Sequence, residues 1–180
     1  MSYIIRQATA TDVPELLELT HRAYEPNREI GIQFVAANPT EQLVQKNLEE
    51  NLCFLLETDG IIRSTASIRM PWGANPGPYG YPHLWWFATD PSVGKCGYGS
   101  MLLHHLESEF LGNQLKCPAV TLGTASHHPW LVEMYVRKGY QKFGTKDSGR
   151  GHVTQYLIKV LNEQQFPGLD FLRRGDIDEL

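Results

Sequence analysis

Residues 84–103 have the sequence LWWFATDPSVGKCGYGSMLL, which predicts a strand, a glycine-rich turn and a helix in direct succession. The apolar run up to Thr89 suits a buried strand, and Asp90-Pro91 ends it. Leu102 and Leu103 lie in a segment with helical periodicity. Three glycines between the two elements would let main-chain N–H groups approach an anion, and the first helical turn adds unpaired donors. The stretch therefore predicts a binding site for a nucleotide-like phosphate.

The spacing of these glycines, at positions 94, 97 and 99, argues against two common phosphate-binding patterns. A P-loop requires G-x-x-x-x-G-K-[ST], but Thr89 stands five residues before Gly94, and Cys96 follows Lys95. A dinucleotide fingerprint requires G-x-G-x-x-G, and no third glycine follows Gly99 at that spacing. The turn is therefore expected to belong to another class of phosphate-binding protein.

The pattern Gly94-x-x-Gly97-x-Gly99 resembles motif A of the GNAT family of N-acetyltransferases, [QR]-x-x-G-x-[GA], which in that family binds the pyrophosphate of acetyl-CoA. Gly94 stands where the family usually has glutamine or arginine, and Lys95 is the nearest cation. A second block, HPWLVEMYVRKGY at residues 128–140, resembles the family pattern N-P-x-x-x-x-x-Y-x-x-x-G-[FY]. It matches at the proline, tyrosine, glycine and final aromatic, with histidine in place of asparagine. Two such blocks at the expected separation indicate membership of this family.

The order of the predicted elements also resembles the acetyltransferase fold. We predict strands at 3–8, 52–57, 61–69, 84–89, 119–123, 140–145 and 152–161, and helices from 11 and over 40–51, 98–112 and 129–138. The segments 25–38 and 70–82 are predicted to be irregular and to shape the acceptor pocket. The resemblance implies an α/β fold, a single domain at residues 1–161 with a mixed, mostly antiparallel sheet flanked by helices. Residues 162–180 form a predicted C-terminal tail, in which Phe166, Leu169 and Phe171 could pack on a neighbour in a homodimer.

Composition describes an ordinary globular chain and limits its partners. The 180 residues are 42% hydrophobic and 20% charged, with a formal net charge of -4. These values suit one packed domain and argue against a nucleic-acid partner. Apolar runs are too short to span a membrane and the first residues lack a signal-peptide core, so a cytoplasmic location without a membrane partner is expected. Cys53, Cys96 and Cys117 lack disulfide or zinc spacing, and no metal site is expected.

The family resemblance assigns roles to residues of both blocks. It implies that Tyr135 is the general acid that protonates the leaving thiolate. It also implies that His128 caps its helix or reaches the acyl donor. The end of the strand would pair with the pantetheine arm of acetyl-CoA, in this family commonly beside a bulge whose free N–H could hold the thioester carbonyl, and the turn would bind its pyrophosphate. The residues predicted to bind acetyl-CoA are thus Phe87, Ala88, Thr89, Gly94, Lys95, Cys96, Gly97, Tyr98, Gly99, Ser100 and His128.

A general base is harder to assign, because the strand at 84–89 carries no carboxylate. His83 titrates in the right range in its ordinary state and lies just before that strand. It is therefore the candidate catalytic base, with Glu25 and Glu29 as alternatives. Four aromatic residues are expected on or near the acceptor side, although core packing would account equally well for the last two of them: Trp72, Tyr79, Trp85 and Trp86.

The resemblance implies direct transfer of an acetyl group from acetyl-CoA to a primary amine of a small molecule or a protein. An alternative of a different class is a non-catalytic module that keeps the fold and binds acyl-CoA. Transfer to a hydroxyl group, or of a longer acyl chain, is a third alternative. The sequence alone does not separate these chemistries.

Overall fold

Seven strands form one sheet in the computed structural model, which describes residues 2–147, 149 and 151–168. The strands are β1 (Ile4–Gln7), β2 (Leu52–Thr58), β3 (Ile61–Arg69), β4 (His83–Thr89), β5 (Ala119–Ala125), β6 (Gln141–Asp147) and β7 (Val153–Val160). They are arranged in the order β1-β2-β3-β4-β5-β7-β6. Every neighbouring pair is antiparallel except β4 and β5, which run parallel. The predicted mixed, mostly antiparallel sheet is therefore observed.

Helices cover both faces of this sheet. They are α1 (Val13–Ala23), α2 (Glu25–Glu29), α3 (Glu41–Glu50), α4 (Tyr98–His104) with a π-helix (His105–Gln114) that continues it, and α5 (Leu131–Arg137). Along β2, Cys53 and Leu55 pack with α1 and α3, whereas Phe54 and Leu56 pack with α4 and α5. This alternation follows from the period of two in a strand, so each face of the sheet has its own apolar core. None of the described helices combines the length and apolar character needed to cross a membrane.

Two helical segments differ from the sequence prediction. The segment 25–38, predicted to be irregular, begins with α2, because Pro26 occupies the first turn, where a residue needs no N–H donor. The helix predicted over 98–112 extends to residue 114, and its second half is a π-helix. Leu106 and Leu111 are both fully buried although they are five residues apart, which fits the wider π turn.

The π-helix carries a buried carboxylate, Glu107, which contacts residues beside β6 and on β7. The hydroxyl of Tyr140 donates a hydrogen bond of 2.6 Å to Glu107 Oε1. Lys159 forms an ion pair with Oε2 of the same carboxylate. Because both Glu107 and Tyr140 are shielded from water, each depends on the other for this hydrogen bond. The cluster joins the π-helix to the sheet.

The parallel strands β4 and β5 separate soon after they meet. Their Cα pairing is limited to His83 with Thr121 and Leu84 with Leu122. Beyond these two pairs the remainder of β4 has β3 as a partner on one side only. The sheet therefore opens near its centre, on the C-terminal side of both strands.

A β-bulge in β4 lies just beyond this point of separation. The register of β3 against β4 shifts at Ala66, which faces both Trp86 and Phe87. Trp86 has a φ of 49°, in the left-handed region, where a bulky residue is rare. Its indole N–H donates a hydrogen bond of 3.0 Å to Thr20 Oγ1 on α1, and the side chain packs in the core. These contacts hold the bulge in place.

The predicted tail after residue 161 is described only as far as residue 168. Phe166 is half-buried, and the centroid of its ring lies 6.0 Å from that of Tyr81. This part of the chain therefore packs against the segment that leads into β4. Leu169 and Phe171, named with Phe166 as a possible dimer surface, lie outside the described residues. The domain boundary at residue 161 stays a prediction.

Candidate active site

A cleft of about 1470 Å³ opens where β4 and β5 separate. One end is lined by residues of the turn at 94–100 and by residues of α5. The opposite end is lined by residues within 23–36 and by part of the loop between β3 and β4. The cleft thus brings together both sequence blocks that resemble the family patterns and both segments predicted to shape the acceptor pocket. Its volume is large enough for two ligands.

The turn after β4 is fixed at its start by Asp90, which is buried. The carboxylate accepts a hydrogen bond of 3.0 Å from the main-chain N–H of Ser92. It also lies 3.5 Å from a guanidinium nitrogen of Arg63 and 3.9 Å from one of Arg22. Burial alone would raise the pKa of Asp90, but the hydrogen bonds from Ser92 and the two arginines lower it. The charged carboxylate therefore directs the chain from β4 into the turn.

The three glycines of the turn each meet a backbone or steric requirement. Gly94 and Gly97 have φ values of 61° and 80°, in the region that glycine adopts without strain. At Gly99, an added Cβ would lie 2.5 Å from Thr89 Oγ1. The first turn of α4 can therefore pack directly against the end of β4. This arrangement holds the unpaired N–H groups of the helix start beside the cleft.

The polar side chains of the turn differ in what they contact. Lys95 lines the cleft, whereas the thiol of Cys96 donates to the Val93 carbonyl and is not among the lining groups. Ser100 accepts a hydrogen bond of 2.7 Å from Lys138 Nζ. Since Arg137 also lines this region, the end of the cleft beside the turn carries several cations. That charge suits an anionic ligand.

The main chain at the end of β4 faces the cleft, and Phe87, Ala88 and Thr89 all line it. The Phe87 carbonyl accepts a hydrogen bond of 3.0 Å from the hydroxyl of Tyr24. The Ala88 carbonyl instead accepts one of 2.9 Å from Ser64 Oγ on β3. The Ala88 carbonyl thus points toward β3, and the Phe87 carbonyl points to the opposite side of β4. That opposite side is the one from which β5 has separated.

Tyr135 on α5 lies in the cleft and is 7% exposed. Its ring packs edge-on against Tyr140, with 5.5 Å between centroids. Burial raises the pKa of the Tyr135 phenol, and the nearby Tyr24 and Glu107 raise it further, so the phenol keeps its proton at neutral pH. Among the residues that the structure describes, none forms a hydrogen bond with its hydroxyl. The proton is therefore available to a bound ligand.

His128 contacts the start of the helix that carries Tyr135. Its Nδ1 accepts a hydrogen bond of 3.3 Å from the main-chain N–H of Leu131, at the start of α5. Burial lowers the pKa of His128, and the neighbouring His127 lowers it further, so the ring is neutral and can accept. Trp130 occupies the N-cap position of α5, so His128 contacts the helix start from two residues before the cap. His128 also lines the cleft, but its contact with the acyl donor stays a prediction.

His83 lies at the closed end of the gap between β4 and β5 and is 4% exposed. Its Nδ1 is 2.9 Å from Thr121 Oγ1. The loop above it is close, since a Cβ added to Gly77 would lie 2.2 Å from His83 Cβ. Burial, followed by the charge of Arg69, lowers the pKa of His83 to about 3. This environment contradicts the expectation that His83 titrates near neutral pH, and a ring with so low a pKa is a poor general base.

The two alternative bases, Glu25 and Glu29, both lie on α2 and are exposed. Glu29 lines the cleft, whereas Glu25 does not. The other described residues that line the cleft include no carboxylate. If a carboxylate among the described residues of the cleft accepts a proton, it is therefore Glu29. The role of Glu29 in catalysis stays a prediction.

The buried, neutral ring of His83 makes the stability of the fold depend on pH. An unperturbed histidine has a pKa of 6.5, so between about pH 6.5 and 3 the unfolded chain binds a proton that the folded chain does not. Stability therefore rises with pH across this window. We expect this residue to make the free energy of unfolding about 2 kcal/mol lower at pH 5 than at pH 7.

Urea unfolding of the wild type and of His83→Gln at both pH values measures this effect. Glutamine retains a polar partner for Thr121 but cannot be protonated in this range. The variant should therefore lose about 2 kcal/mol of the pH dependence. If the free energy of unfolding changed equally between pH 5 and pH 7 in both proteins, His83 would have to be protonated in the folded state as readily as in the unfolded chain.

Three rings from distant segments, Phe34, His152 and Tyr156, line the cleft. Phe34 packs edge-on against His152, with 5.3 Å between centroids, and so connects the segment after α2 with the residue before β7. Tyr79, expected on or near the acceptor side, packs against Phe143 and Tyr156, at 4.9 and 5.2 Å between centroids, but is not itself among the residues that line the cleft. The sequence prediction named only Tyr79 among these residues. Strand alternation along β7 is the signal that could have placed Tyr156 on this face.

The tryptophans expected on the acceptor side have different positions. Trp85 and Trp86 both line the cleft, although Trp86 is also part of the core. Trp72 is 72% exposed and is not among the residues that line the cleft. The guanidinium of Arg69 lies 5.0 Å from the centre of the Trp85 ring, and Arg69 lines the cleft as well. Sequence reasoning did not identify Arg69, because nothing in a strand sequence indicates which charged end residue faces a cleft.

Comparison with known proteins gives consistent results over most of the chain. The sequence profile of the acetyltransferase (GNAT) family matches residues 13–140. The S-(2-succino)cysteine N-acetyltransferase of Bacillus subtilis (strain 168) is 55% identical over 156 residues, which are 87% of this chain and 94% of that protein. The S-alkylcysteine N-acetyltransferase of the same organism is 40% identical over 164 residues, 91% of this chain and 92% of that protein.

Solved structures share the fold at low sequence identity. The ribosomal-protein-S18-alanine N-acetyltransferase from Escherichia coli has a TM-score of 0.68 and 18% identity, with 94% of this chain and 98% of that chain covered. The PaiA N-acetyltransferase from Thermoplasma acidophilum, in complex with coenzyme A, has a TM-score of 0.66 and 15% identity, with 89% and 99% covered. These similarities confirm the fold class that the two sequence blocks predicted.

Proposed function

The chain belongs to the GNAT family of acetyltransferases and is an N-acetyltransferase, and we propose that its acceptor is the α-amino group of an S-substituted cysteine. The observation that carries this proposal is the 55% identity with an S-(2-succino)cysteine N-acetyltransferase over 94% of that protein. A second relative, at 40% identity, is named for S-alkylcysteine. The S-substituted cysteine is the chemistry that the two names have in common.

We propose acetyl-CoA, the donor used by the family, as the acyl donor of this chain. The turn at 94–100 offers main-chain N–H groups in conformations that its glycines allow, and such a set of donors suits a pyrophosphate. Gly94 supplies no side-chain donor, so we assign the pyrophosphate to these N–H groups and to Lys95. The unpaired side of β4 at Phe87–Thr89 would bind the pantetheine arm. The fit rests on the close packing at Gly99, which a side chain would prevent.

In the proposed reaction the free amine of the acceptor attacks the thioester carbonyl carbon, a C–N bond forms and the C–S bond breaks. Tyr135 donates its proton to the leaving sulfur, whose pKa is about 8 to 9 by analogy with cysteine. We assign the oxyanion to a main-chain N–H at the bulge formed by Trp86 and Phe87. The proton of the amine passes to water in the cleft, because the ring of His83 is a poor acceptor, and water returns a proton to Tyr135 to restore the phenol.

The test is an acetylation assay with acetyl-CoA and a panel of acceptors. We expect S-(2-succino)cysteine and S-methylcysteine to be acetylated with kcat/KM on the order of 10⁴ M⁻¹s⁻¹ or higher. Thiol release and the mass of the product should rise together. N-acetyl-S-methylcysteine, which has no free amine, is the matched control and should release no thiol.

A lysine-containing peptide and an amino alcohol in the same panel test the other acceptors that the sequence allowed. Faster acetylation of the peptide amine would assign the chain to protein acetylation and contradict the proposal. Thiol release without an acetylated product would show hydrolysis of the donor instead of transfer.

A further inference from the structure

Arg69 is a cation in the acceptor end of the cleft that the proposed reaction has not used. It is the last residue of β3, and its Cα partner on β4 is His83. Its guanidinium lies over the ring of Trp85, the residue directly before the bulge. Arg69 therefore lies beside the start of β4, and the bulge where the acetyl group would be transferred follows on the same strand.

The guanidinium of Arg69 is oriented by neutral groups. Nε donates to the Asn75 carbonyl at 3.0 Å, and Nη2 donates to Asn75 Oδ1 at 2.9 Å and to the Pro76 carbonyl at 2.7 Å. Both N–H bonds of Nη1 are without a partner in the part of the chain that the structure describes. The loop between β3 and β4 thus holds the side chain rigidly while one nitrogen stays free to bind a ligand.

The charge of Arg69 has no carboxylate partner. Within the described ranges, no aspartate or glutamate lies at ion-pair distance from its guanidinium, and Glu50, which it senses at longer range, pairs with Lys46 at 3.7 Å. Burial lowers the pKa of Arg69, which reflects the cost of holding a cation partly away from water. An anionic ligand would compensate this charge.

The other permanent cations that line the cleft lie beside the turn at its opposite end. These are Lys95, Arg137 and Lys138, the last of which donates to Ser100. His83, the direct neighbour of Arg69, is neutral. Arg69 is therefore the fixed positive charge of the acceptor end among the residues described there.

We propose that Arg69 binds the α-carboxylate of the acceptor through Nη1 and thereby selects amino acids over simple amines. The inference rests on the proposed function, since every S-substituted cysteine carries this carboxylate. In an α-amino acid the carboxylate and the amine are attached to the same carbon. Holding the carboxylate at Arg69 therefore places the amine toward the bulge, while the sulfur substituent extends toward the aromatic residues Tyr156 and Phe34. Arg69 acts as a positioning residue that determines specificity.

The wild-type enzyme alone provides the first test, with S-methylcysteine and its carboxamide as acceptors. The two differ only in the charge of one group, and the carboxamide has the less basic amine, so slow acetylation would not result from protonation. We expect kcat/KM for the carboxamide to be lower by about 30-fold, as for loss of a hydrogen bond to a charged group. Equal rates for the two acceptors would overturn the assignment.

The second test uses Arg69→Met and Arg69→Lys, with Lys116→Met as the control for removal of an exposed charge away from the cleft. Arg69→Met should lower kcat/KM for S-methylcysteine by about 30-fold, and that for the carboxamide by less than 3-fold. Arg69→Lys should restore part of the loss. The KM for acetyl-CoA should not change in any variant. An equal loss for both acceptors would mean that Arg69 only supports the loop.

S-(2-succino)cysteine separates the α-carboxylate from the carboxylates of the sulfur substituent. If Arg69→Met slows only this acceptor and leaves S-methylcysteine unaffected, Arg69 binds the substituent and the proposal is wrong. If the proposed function itself is wrong, the wild type will acetylate no S-substituted cysteine, and this outcome differs from every outcome named for Arg69.

Discussion

Tyr135→Phe should lower kcat by about 100-fold or more, with little change in the affinity for acetyl-CoA. General acids contribute roughly 10²–10⁴-fold to rates, and removal of the phenol leaves the leaving thiolate to take its proton from water. The hydroxyl of Tyr135 has no partner among the described residues, so its loss should not disturb the fold. Phenylalanine also keeps the edge-on contact with the ring of Tyr140.

Single-turnover kinetics should be measured beside the steady state, so that the chemical step is observed, and calorimetry should report the binding of coenzyme A. Tyr140→Phe is the matched control, because its hydroxyl contacts Glu107 outside the cleft and its loss should affect stability instead of turnover. Tyr24 is the competing phenol, since it lies near Tyr135 and donates to the Phe87 carbonyl. A large loss in Tyr24→Phe together with a normal rate in Tyr135→Phe would transfer the acid role to Tyr24.

Glu107→Ala should reduce the free energy of unfolding by about 3 kcal/mol. The substitution removes the acceptor of a buried tyrosine hydroxyl and the partner of Lys159. The Lys159 side chain is 26% exposed, so its ammonium can turn toward water. The hydroxyl of Tyr140 has no such access, and an unsatisfied buried group of this kind accounts for about 1–3 kcal/mol of the loss.

Urea unfolding with a constant m-value is the appropriate measurement. Glu107→Gln is the matched control, because its amide oxygen can still accept from Tyr140 while the charge is lost. We expect this variant to be destabilised by less than the alanine variant. Equal losses in the two variants would show that the ion pair with Lys159, and not the hydrogen bond, provides the stabilisation.

The family, the sheet and the acetyltransferase activity could be predicted from the sequence, because two short blocks carry strict backbone requirements. The spacing of Gly94, Gly97 and Gly99 records positive φ angles and a close contact with β4, which leave few residue choices. A turn of this kind is readable from sequence because its constraints are local. The relatives of the chain confirm the predicted enzyme over a non-catalytic binding module.

The residues that the sequence did not reveal depend on contacts between distant segments. The pKa of His83 reflects its burial under Gly77 and beside Arg69, neither of which its neighbours in sequence indicate. The family resemblance implies a bulge beside the end of this strand, but the apolar run around Trp86 itself reads as regular strand, and the position of the bulge follows from pairing with β3. Likewise, the π-helix around Glu107 follows from partners on β7 and beside β6. Tertiary context decides all three.

The gap between β4 and β5 has a consequence for association between molecules. Strands without a neighbour can recruit a strand from another chain, which is a common route to aggregation. Here the unpaired side of β4 lies inside the protein, and Tyr135 of α5 and residues of the turn line the space beside it. A chain that approached as a strand would need room on both of its faces for alternating side chains. The walls of the cleft therefore hinder the pairing of this side of β4 with a strand of another copy.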